Sequence, residues 1–378
     1  MFRAISASPT HATIDISALS HNLRRIRSRV GPDCGIVGIV KANAYGHGAI
    51  DICKALLQMG VTMFGVATVA EGLELRDAGV ACDILVLGPT VPRELNDLVR
   101  HRLTPLVYDE TMLLALNERL DDQAAPCPVH IEVDTGMGRL GLSPDRVLAL
   151  TQSTAFGHRL RVGGLMTHFA DADNPDPTYS LHQIDRFTKV LHAVRTLGTT
   201  VPMVHMANTA GIAHYPQAHF DAVRPGLGLY GYVSRDTAES LGLQPVLSWH
   251  THIVQIRAMQ IGDRVSYNGT FTATRASRIA VLPMGYADGY SRMHSNRAQV
   301  LVHGMRVPVV GRVCMDMTMI DVTDVPQAQP GDEVTLIGTQ GDQTITAADL
   351  AEWQGTIPYE VLCAIGPRVR RIYTGRTT

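Results

Sequence analysis

Between residues 34 and 231, apolar strand-like runs alternate with helical stretches, and the alternation repeats eight times. The runs are CGIVGIVKA (34–42), MFGVAT (63–68), DILVLG (83–88), LTPLVY (103–108), VHIEVDT (129–135), RVGGLMTHF (161–169), PMVHMAN (202–208) and AVRPGLGLYG (222–231). Segments such as IDICKALLQMG, AEGLELRDAG and IDRFTKVLHAVRTLG lie between them and carry helical spacing of apolar residues. Eight βα units in about 200 residues are the count and size of a (β/α)8 barrel. A doubly wound open sheet is the alternative, but no Gly-rich dinucleotide turn supports it early in the chain.

After about residue 240 the pattern changes. SWHTHIVQIRAM, QVLVHGMRVPVVG, TMIDVT and DEVTLIG are short and alternating, with Gly, Pro and Asp between them, which reads as an antiparallel β-domain. One helix, ITAADLAEW, begins at a capping residue, Thr346. At 378 residues the chain is too long for one ordinary core. The expected fold is therefore α/β plus β: an N-terminal (β/α)8 TIM barrel over 10–238 and a C-terminal antiparallel β-domain over 239–378, with residues 1–9 packing on the second domain.

Composition excludes several classes. A net charge of −2 gives no electrostatic reason to expect nucleic acid or an anionic membrane as partner. The basic cluster Arg368 to Arg371 is short and reads as a solvated patch. No stretch approaches a membrane span, and MFRAISASPTHATIDI lacks the apolar run of a signal peptide. The six cysteines form no CxxC pair and no HExxH occurs, so no metal site is expected and a reducing cytoplasm is the expected home. GLGLYG at 226–231 matches GxGxxG but sits in the last strand-like run, out of the context that would make it a dinucleotide site. No GxSxG nucleophile turn is present.

Of 33 basic residues only three are lysines: Lys41, Lys54 and Lys189. Arginine does not form a Schiff base and effectively never gives up its proton, so lysine chemistry has three candidates. Lys54 and Lys189 fall in amphipathic helices, where a lysine faces water. Lys41 ends the first barrel strand, on the face where barrel enzymes place their chemistry. Read from position alone, a lysine snorkelling at the rim is as good an account as a catalytic one.

The other strand ends shift that balance. Strand five leads to Asp134 and TGMGRLG with Arg139, strand six ends in His168, strand seven leads into Asn208 and Thr209, and strand eight carries Arg224 before Pro-Gly-Leu-Gly. MANTAG and RPGLG combine a hydroxyl, backbone amides and glycines where barrels commonly hold phosphate. A reactive lysine beside such a corner suggests pyridoxal phosphate, whose aldehyde takes an amine as an imine.

VKANAYGHG (40–48) resembles the pyridoxal-phosphate lysine motif of alanine racemases. The resemblance continues through VDTGMGRLG (133–141), THFADAD (167–173), MANTAG (206–211) and RPGLGLYG (224–231), and into VSYNGTF (265–271), MGYADGYSR (284–292), GRVCMDM (311–317) and TIPYE (356–360). It implies a homodimer with shared active sites that interconverts L- and D-alanine. Lys41 would hold the cofactor and act as one acid/base, and Tyr267 of the partner subunit would be the opposite base. His168 and Arg224 would provide positive charge favouring the tyrosine's phenolate. Arg224 would also face the pyridine nitrogen and keep the ring neutral, disfavouring transamination. Tyr45, Thr209, Gly226, Leu227 and Tyr359 would hold the phosphate, with Tyr359 also narrowing the pocket, and Asn208 would be a further cofactor-binding residue. Arg139 would contact the cofactor's phenolic oxygen and the substrate carboxylate, while Tyr286 and Met315 from the partner subunit would line the pocket mouth; as residues of a core or interface they have a nearly equal claim.

One position departs from the family pattern. Many alanine racemases carry, two residues before the Asp of VDT, a lysine whose carbamate holds the arginine; here Glu132 stands there. The expectation is that Glu132, on the same strand face as Asp134, is a permanent carboxylate that orients Arg139. The implied role is D-alanine supply for peptidoglycan, or alanine catabolism. A serine or broad-specificity racemase is the runner-up, and a non-catalytic pyridoxal-phosphate-binding protein a further alternative. VSYNGTF, which belongs to a second domain, argues against the last.

Overall fold

Strand β1 (His11–Asp15) precedes eight strands that pair in parallel and close into a barrel. They are β2 (Gly35–Ile39), β3 (Met63–Val66), β4 (Asp83–Val86), β5 (Thr104–Val107), β6 (Cys127–Glu132), β7 (Leu160–Met166), β8 (Val204–His205) and β9 (Ala222–Val223). The ring closes where Gly35 and Ile36 of β2 pair with Ala222 and Val223 of β9. This computed structural model describes residues 9–121, 125–153, 156 and 158–377.

All eight expected strands are present. Parallel strands covered on both faces read as unbroken apolar runs; Ile84, Leu85 and Val86 of β4 are all fully buried. Strands β8 and β9 are only two residues long, so most of PMVHMAN and AVRPGLGLYG leaves the ladder to build loops at the strand ends. The helices Ala49–Gln58, Val69–Asp77 and Thr178–Thr196 lie where the periodicity puts them. Lys54 is exposed and Lys189 pairs with Asp185 one helical turn away at 2.7 Å.

The chain divides into two compact units: one holds Leu19–Ala44, Gly48–Gln244 and Thr377; the other holds residues 9–18, Tyr45–His47 and Pro245–Arg376. The second unit contains β10 (Leu247–His252), β11 (Gln255–Met259), β12 (Arg264–Val265), β13 (Phe271–Thr272), β14 (Ser277–Leu282) and β15 (Gln299–Val302). It continues with β16 (Met305–Pro308), β17 (Thr318–Asp321), β18 (Glu333–Gln340), β19 (Gln343–Ile345) and β20 (Arg370–Thr374). One sheet runs β16-β15-β18-β10-β1-β20 with β19 beside β18; a second is β11-β14-β17; β12 and β13 form a ribbon. Thr346 caps the helix Ala347–Gln354 as expected, accepting from Asp349 N at 3.1 Å while Asp349 accepts from Thr346 N at 2.6 Å.

The sequence places residue 10 at the start of the barrel domain, whereas the structure assigns residues 9–18 to the second unit. Strand β1 pairs antiparallel with β10 and parallel with β20, so this sheet is not wholly antiparallel. A closed barrel has no edge at which a ninth strand could be added. Of the residues expected to pack with the second domain, 1–8 lie outside those described; the Pro9 carbonyl accepts from His252 Nδ1 at 2.9 Å. No described helix is long and apolar enough to cross a membrane.

Candidate active site

In the barrel unit, β2 delivers Val40 and Lys41 to the C-terminal rim, with Val40 N bonded to Gly65 O at 2.9 Å. The backbone then turns in the left-handed sense. Ala42, Asn43 and Ala44 have φ/ψ near 52/49, 53/47 and 53/49, and Tyr45 follows with φ 51. A run of this kind without glycine is costly for L-residues.

Arg224, almost fully buried, is the hub of the site. Its Nη1 donates to His205 Nδ1 at 2.8 Å. Its Nη2 donates to Thr167 O at 2.8 Å, Met206 O at 3.1 Å and His168 Nδ1 at 3.1 Å. Burial lowers its pKa from 12.5 to about 10, with Glu132 opposing and Arg139 assisting the shift; it stays charged at neutral pH. His205 in turn lies 2.7 Å from His130 through Nε2 and Nδ1. Burial, then the Arg224 charge, lowers His130 to about 4 and holds His205 well below its usual value.

His168 is lowered to about 3 by burial and then by the charges of Arg224, Arg139 and Lys41. Three cationic side chains therefore converge on one neutral imidazole. The sequence reading counted His168 among the sources of positive charge; in the barrel that charge belongs to the arginines and the lysine.

Glu132 is buried, and its Oε2 has no hydrogen-bond partner. Burial raises its pKa against the fields of Arg224 and, second, Arg139. Glu132 and Arg139 thus interact across space, and Arg224 exerts the stronger field on the carboxylate. Arg139 itself is exposed, on a loop built by Asp134, whose Oδ1 accepts from Gly136 N at 2.9 Å and Gly138 N at 3.1 Å.

At the ends of β8 and β9, Asn208 caps the turn Thr209–His214 by accepting from Gly211 N at 2.9 Å. Thr209 Oγ1 accepts from Gly226 N at 3.2 Å and Gly228 N at 3.3 Å. A Cβ at Gly228 would stand 2.2 Å from Thr209 Cγ2, so only glycine allows this approach. An amine, a hydroxyl and closely packed backbone amides on one rim are able to hold a phosphorylated aldehyde.

In the second unit, Tyr267 opens a short turn, Tyr267–Gly269, and is 69% exposed. It lines a cleft of about 540 Å³ with Arg257, Arg264, Cys314, Met317 and Met319. The preceding Ser266 fixes its base, donating to Arg312 O at 2.7 Å. Tyr286 and Met315 are both exposed and sit on segments joined by Tyr286 N to Cys314 O at 3.0 Å and Ala287 N to Met315 O at 3.1 Å. Tyr45 meets Tyr359 edge to face, ring centres 5.9 Å apart.

The structure therefore gathers Lys41, Glu132, Arg139, His168 and Arg224 into one electrostatic cluster. It gathers Asn208, Thr209, Gly226 and Leu227 at one corner of the same rim. Sequence reasoning missed His205 and His130. Both stand in quoted strand runs, and the available signal was Gly164, where an added Cβ would stand 2.7 Å from the His130 ring. Among the described residues no group of three or more His, Cys, Asp or Glu could hold a metal ion.

The model of the alanine racemase N-terminal domain matches residues 14–234, and that of the alanine racemase C-terminal domain matches 246–373. A protein of Halothermothrix orenii named alanine racemase is 43% identical over 369 residues, covering 97% of each chain. One of Carboxydothermus hydrogenoformans with the same name is 41% identical over 367 residues, covering 97% of this chain and 99% of the relative. The crystal structure of alanine racemase from Bacillus anthracis with bound L-Ala-P superposes with a TM-score of 0.92 at 35% identity, covering 99% of this chain and 97% of that one. With both domains matched in order, over nearly the whole length of the chain and of its relatives, this protein belongs to the alanine racemase family.

Proposed function

We propose that this protein interconverts L-alanine and D-alanine with pyridoxal phosphate, using Lys41 and Tyr267 of the partner subunit as its two acid/base groups. The observation that carries this reading is the convergence of the Lys41, Arg139 and Arg224 charges on a half-buried, neutral His168, whose Nδ1 accepts from Arg224 Nη2 at 3.1 Å, in a chain whose full-length relatives are named alanine racemase. The residues suit the cofactor: an amine at a strand end, a hydroxyl-and-amide corner with no room for a Cβ at Gly228, and a buried guanidinium.

The chemistry supplied by bound pyridoxal phosphate is acidification of the substrate's α-C–H bond. Inversion then needs one group to take a proton from one face of the α-carbon and a second to return one to the other. Lys41 serves one face and the Tyr267 hydroxyl the other. A phenol, with an ordinary pKa of about 10, needs cationic surroundings to act as a base near neutrality; Arg139 and Arg224 carry such charge and neutral His168 does not. Tyr267 presents its ring to solvent in its own chain, which suits a side chain that works in the barrel of a second copy in a homodimer.

Arg139 binds the substrate carboxylate, and Glu132 holds Arg139 by its field. Tyr45, Thr209, Gly226, Leu227 and Tyr359 hold the phosphate, with Tyr359 also narrowing the pocket and Asn208 a further cofactor-binding residue, while Tyr286 and Met315 from the partner subunit line the pocket mouth. The role assigned is supply of D-alanine for peptidoglycan, or alanine catabolism, in the cytoplasm.

Circular dichroism of purified protein with added pyridoxal phosphate tests the reading on L-alanine, L-serine and L-lysine. Loss of signal with alanine and not with the larger substrates is expected. A bound cofactor with no decay on alanine would end the alanine reading.

A further inference from the structure

The left-handed turn after Lys41 must be held by something other than its own backbone. Within it Ala44 N reaches Val40 O at 2.8 Å, and Gly48 N reaches Asn43 O at 2.9 Å. The amide next to the lysine is satisfied from outside: Ala42 N donates to Glu71 Oε1 at 2.7 Å. Glu71 is not a loose partner. Its Oε2 accepts from Ala67 N at 2.7 Å and Thr68 N at 3.3 Å, and its own amide donates to Thr68 Oγ1 at 3.2 Å. One carboxylate thus joins the rim after β2 to the rim after β3, and its backbone is anchored by the cap of the helix Val69–Asp77.

We infer that Glu71 is a positioning residue for Lys41: its carboxylate holds the left-handed turn in place and so sets the direction in which the lysine leaves the strand. The inference rests on the reading of Lys41 as an acid/base group. The hydrogen-bonded β3–helix junction is the support at the start of the turn, where Ala42 is exposed; exposed Asn43 is tied instead to the following helix, its Oδ1 accepting from Ala49 N at 2.8 Å. Residues in sparsely populated backbone regions persist only where their surroundings over-determine them, and here the surroundings at the first residue of the turn are Glu71. Losing that acceptor lets Ala42 return toward ordinary backbone angles, which swings the amine away from its place. Misplacement of about 1 Å costs on the order of a hundredfold in rate.

The test compares Glu71→Ala, Glu71→Gln, Thr68→Ala and Glu71→Ala/Ala42→Gly in the cofactor-loaded chain. Alanine kcat and KM are measured, together with hydrogen exchange of the peptide spanning residues 38–48. Glu71→Ala is expected to lower kcat tenfold to a hundredfold with KM changed less than twofold, and to speed exchange in 38–48 more than tenfold. Glu71→Gln, which keeps one oxygen acceptor, should lose less on both. Adding Ala42→Gly, which adopts positive φ without strain, should recover most of the lost kcat. Thr68→Ala removes the cap that anchors Glu71 but keeps its carboxylate, so it should lower the melting temperature and cost clearly less kcat and less protection of 38–48 than Glu71→Ala.

Unchanged kcat and exchange in Glu71→Ala would overturn the inference, as would an equal loss in Thr68→Ala or no recovery with Ala42→Gly. If Glu71→Ala does not fold, the same outcomes are read from Glu71→Gln with and without Ala42→Gly. A wild-type chain inactive on alanine would instead remove the functional reading on which the inference stands.

Discussion

Arg224 Nη1 donates to His205 Nδ1 at 2.8 Å, and that contact fixes the protons of two histidines. Arginine only donates, so His205 Nδ1 is an acceptor and its proton sits on Nε2. That proton points at His130 Nδ1, 2.7 Å away, which leaves the His130 proton on its own Nε2. The guanidinium thus orders a chain of imidazoles running into the barrel interior.

His205→Leu is expected to strand a buried Arg224 donor, which costs about 1–3 kcal/mol. Urea unfolding should report that loss, with kcat for alanine falling as Arg224 loosens. His130→Leu acts one step further away and should lower kcat less. Equal kcat losses would mean that the histidines do not act in series.

Low pH should weaken the fold through the same residues. His130 at about 4 and His168 at about 3 stay neutral in the folded chain well below the ordinary value of 6.5. The unfolded chain takes up those protons first, so stability is full above pH 6.5 and declines as pH falls toward 4, by about 1.4 kcal/mol per unit for each histidine. Unfolding midpoints between pH 7 and 4 test this, and His130→Leu should flatten the slope.

Sharing of active sites has a direct test. Lys41→Ala and Tyr267→Phe variants are each expected to lose a hundredfold or more in kcat, about the weight of a positioned acid or base, if the proposed homodimer shares its sites. Mixed after dissociation and reassociation, they should recover about a quarter of wild-type activity, because half the dimers carry one intact site. No recovery would place both residues in one subunit's site or remove one from the mechanism.

Glu132→Gln keeps the volume and removes the charge that Arg224 and Arg139 feel. Alanine KM should rise and kcat/KM fall about tenfold, a typical coupling for charged neighbours in low dielectric. Unchanged affinity and turnover would end the assignment of Glu132 to the orientation of Arg139.

Gly228→Ala should weaken cofactor binding at least tenfold, since its Cβ would collide with Thr209 Cγ2 at 2.2 Å. Thr209→Ser removes that methyl and keeps the hydroxyl, whose oxygen still stands 2.9 Å from the added Cβ, so the double variant should regain part of the affinity. Absorbance titration with pyridoxal phosphate measures both, and failure of the second change to rescue would separate Gly228 from the cradle.

The sequence by itself determined the elements whose cause is local. Apolar runs such as DILVLG and the helical spacing of IDRFTKVLHAVRTLG specify a strand and a helix from neighbours a few residues apart. The scarcity of lysine singled out Lys41, and turn residues marked the strand ends where Asp134, His168 and Arg224 stand. Tertiary structure decided what depends on residues distant in the chain. Strand β1 joins β10 and β20 because only an open sheet offers it backbone partners. His130 meets His205 across 75 positions, and Glu71 reaches Ala42 across 29, because barrel closure sets neighbouring strand ends side by side. Periodicity carries no record of that closure: it says which way a side chain faces, and only the folded ring says what it meets.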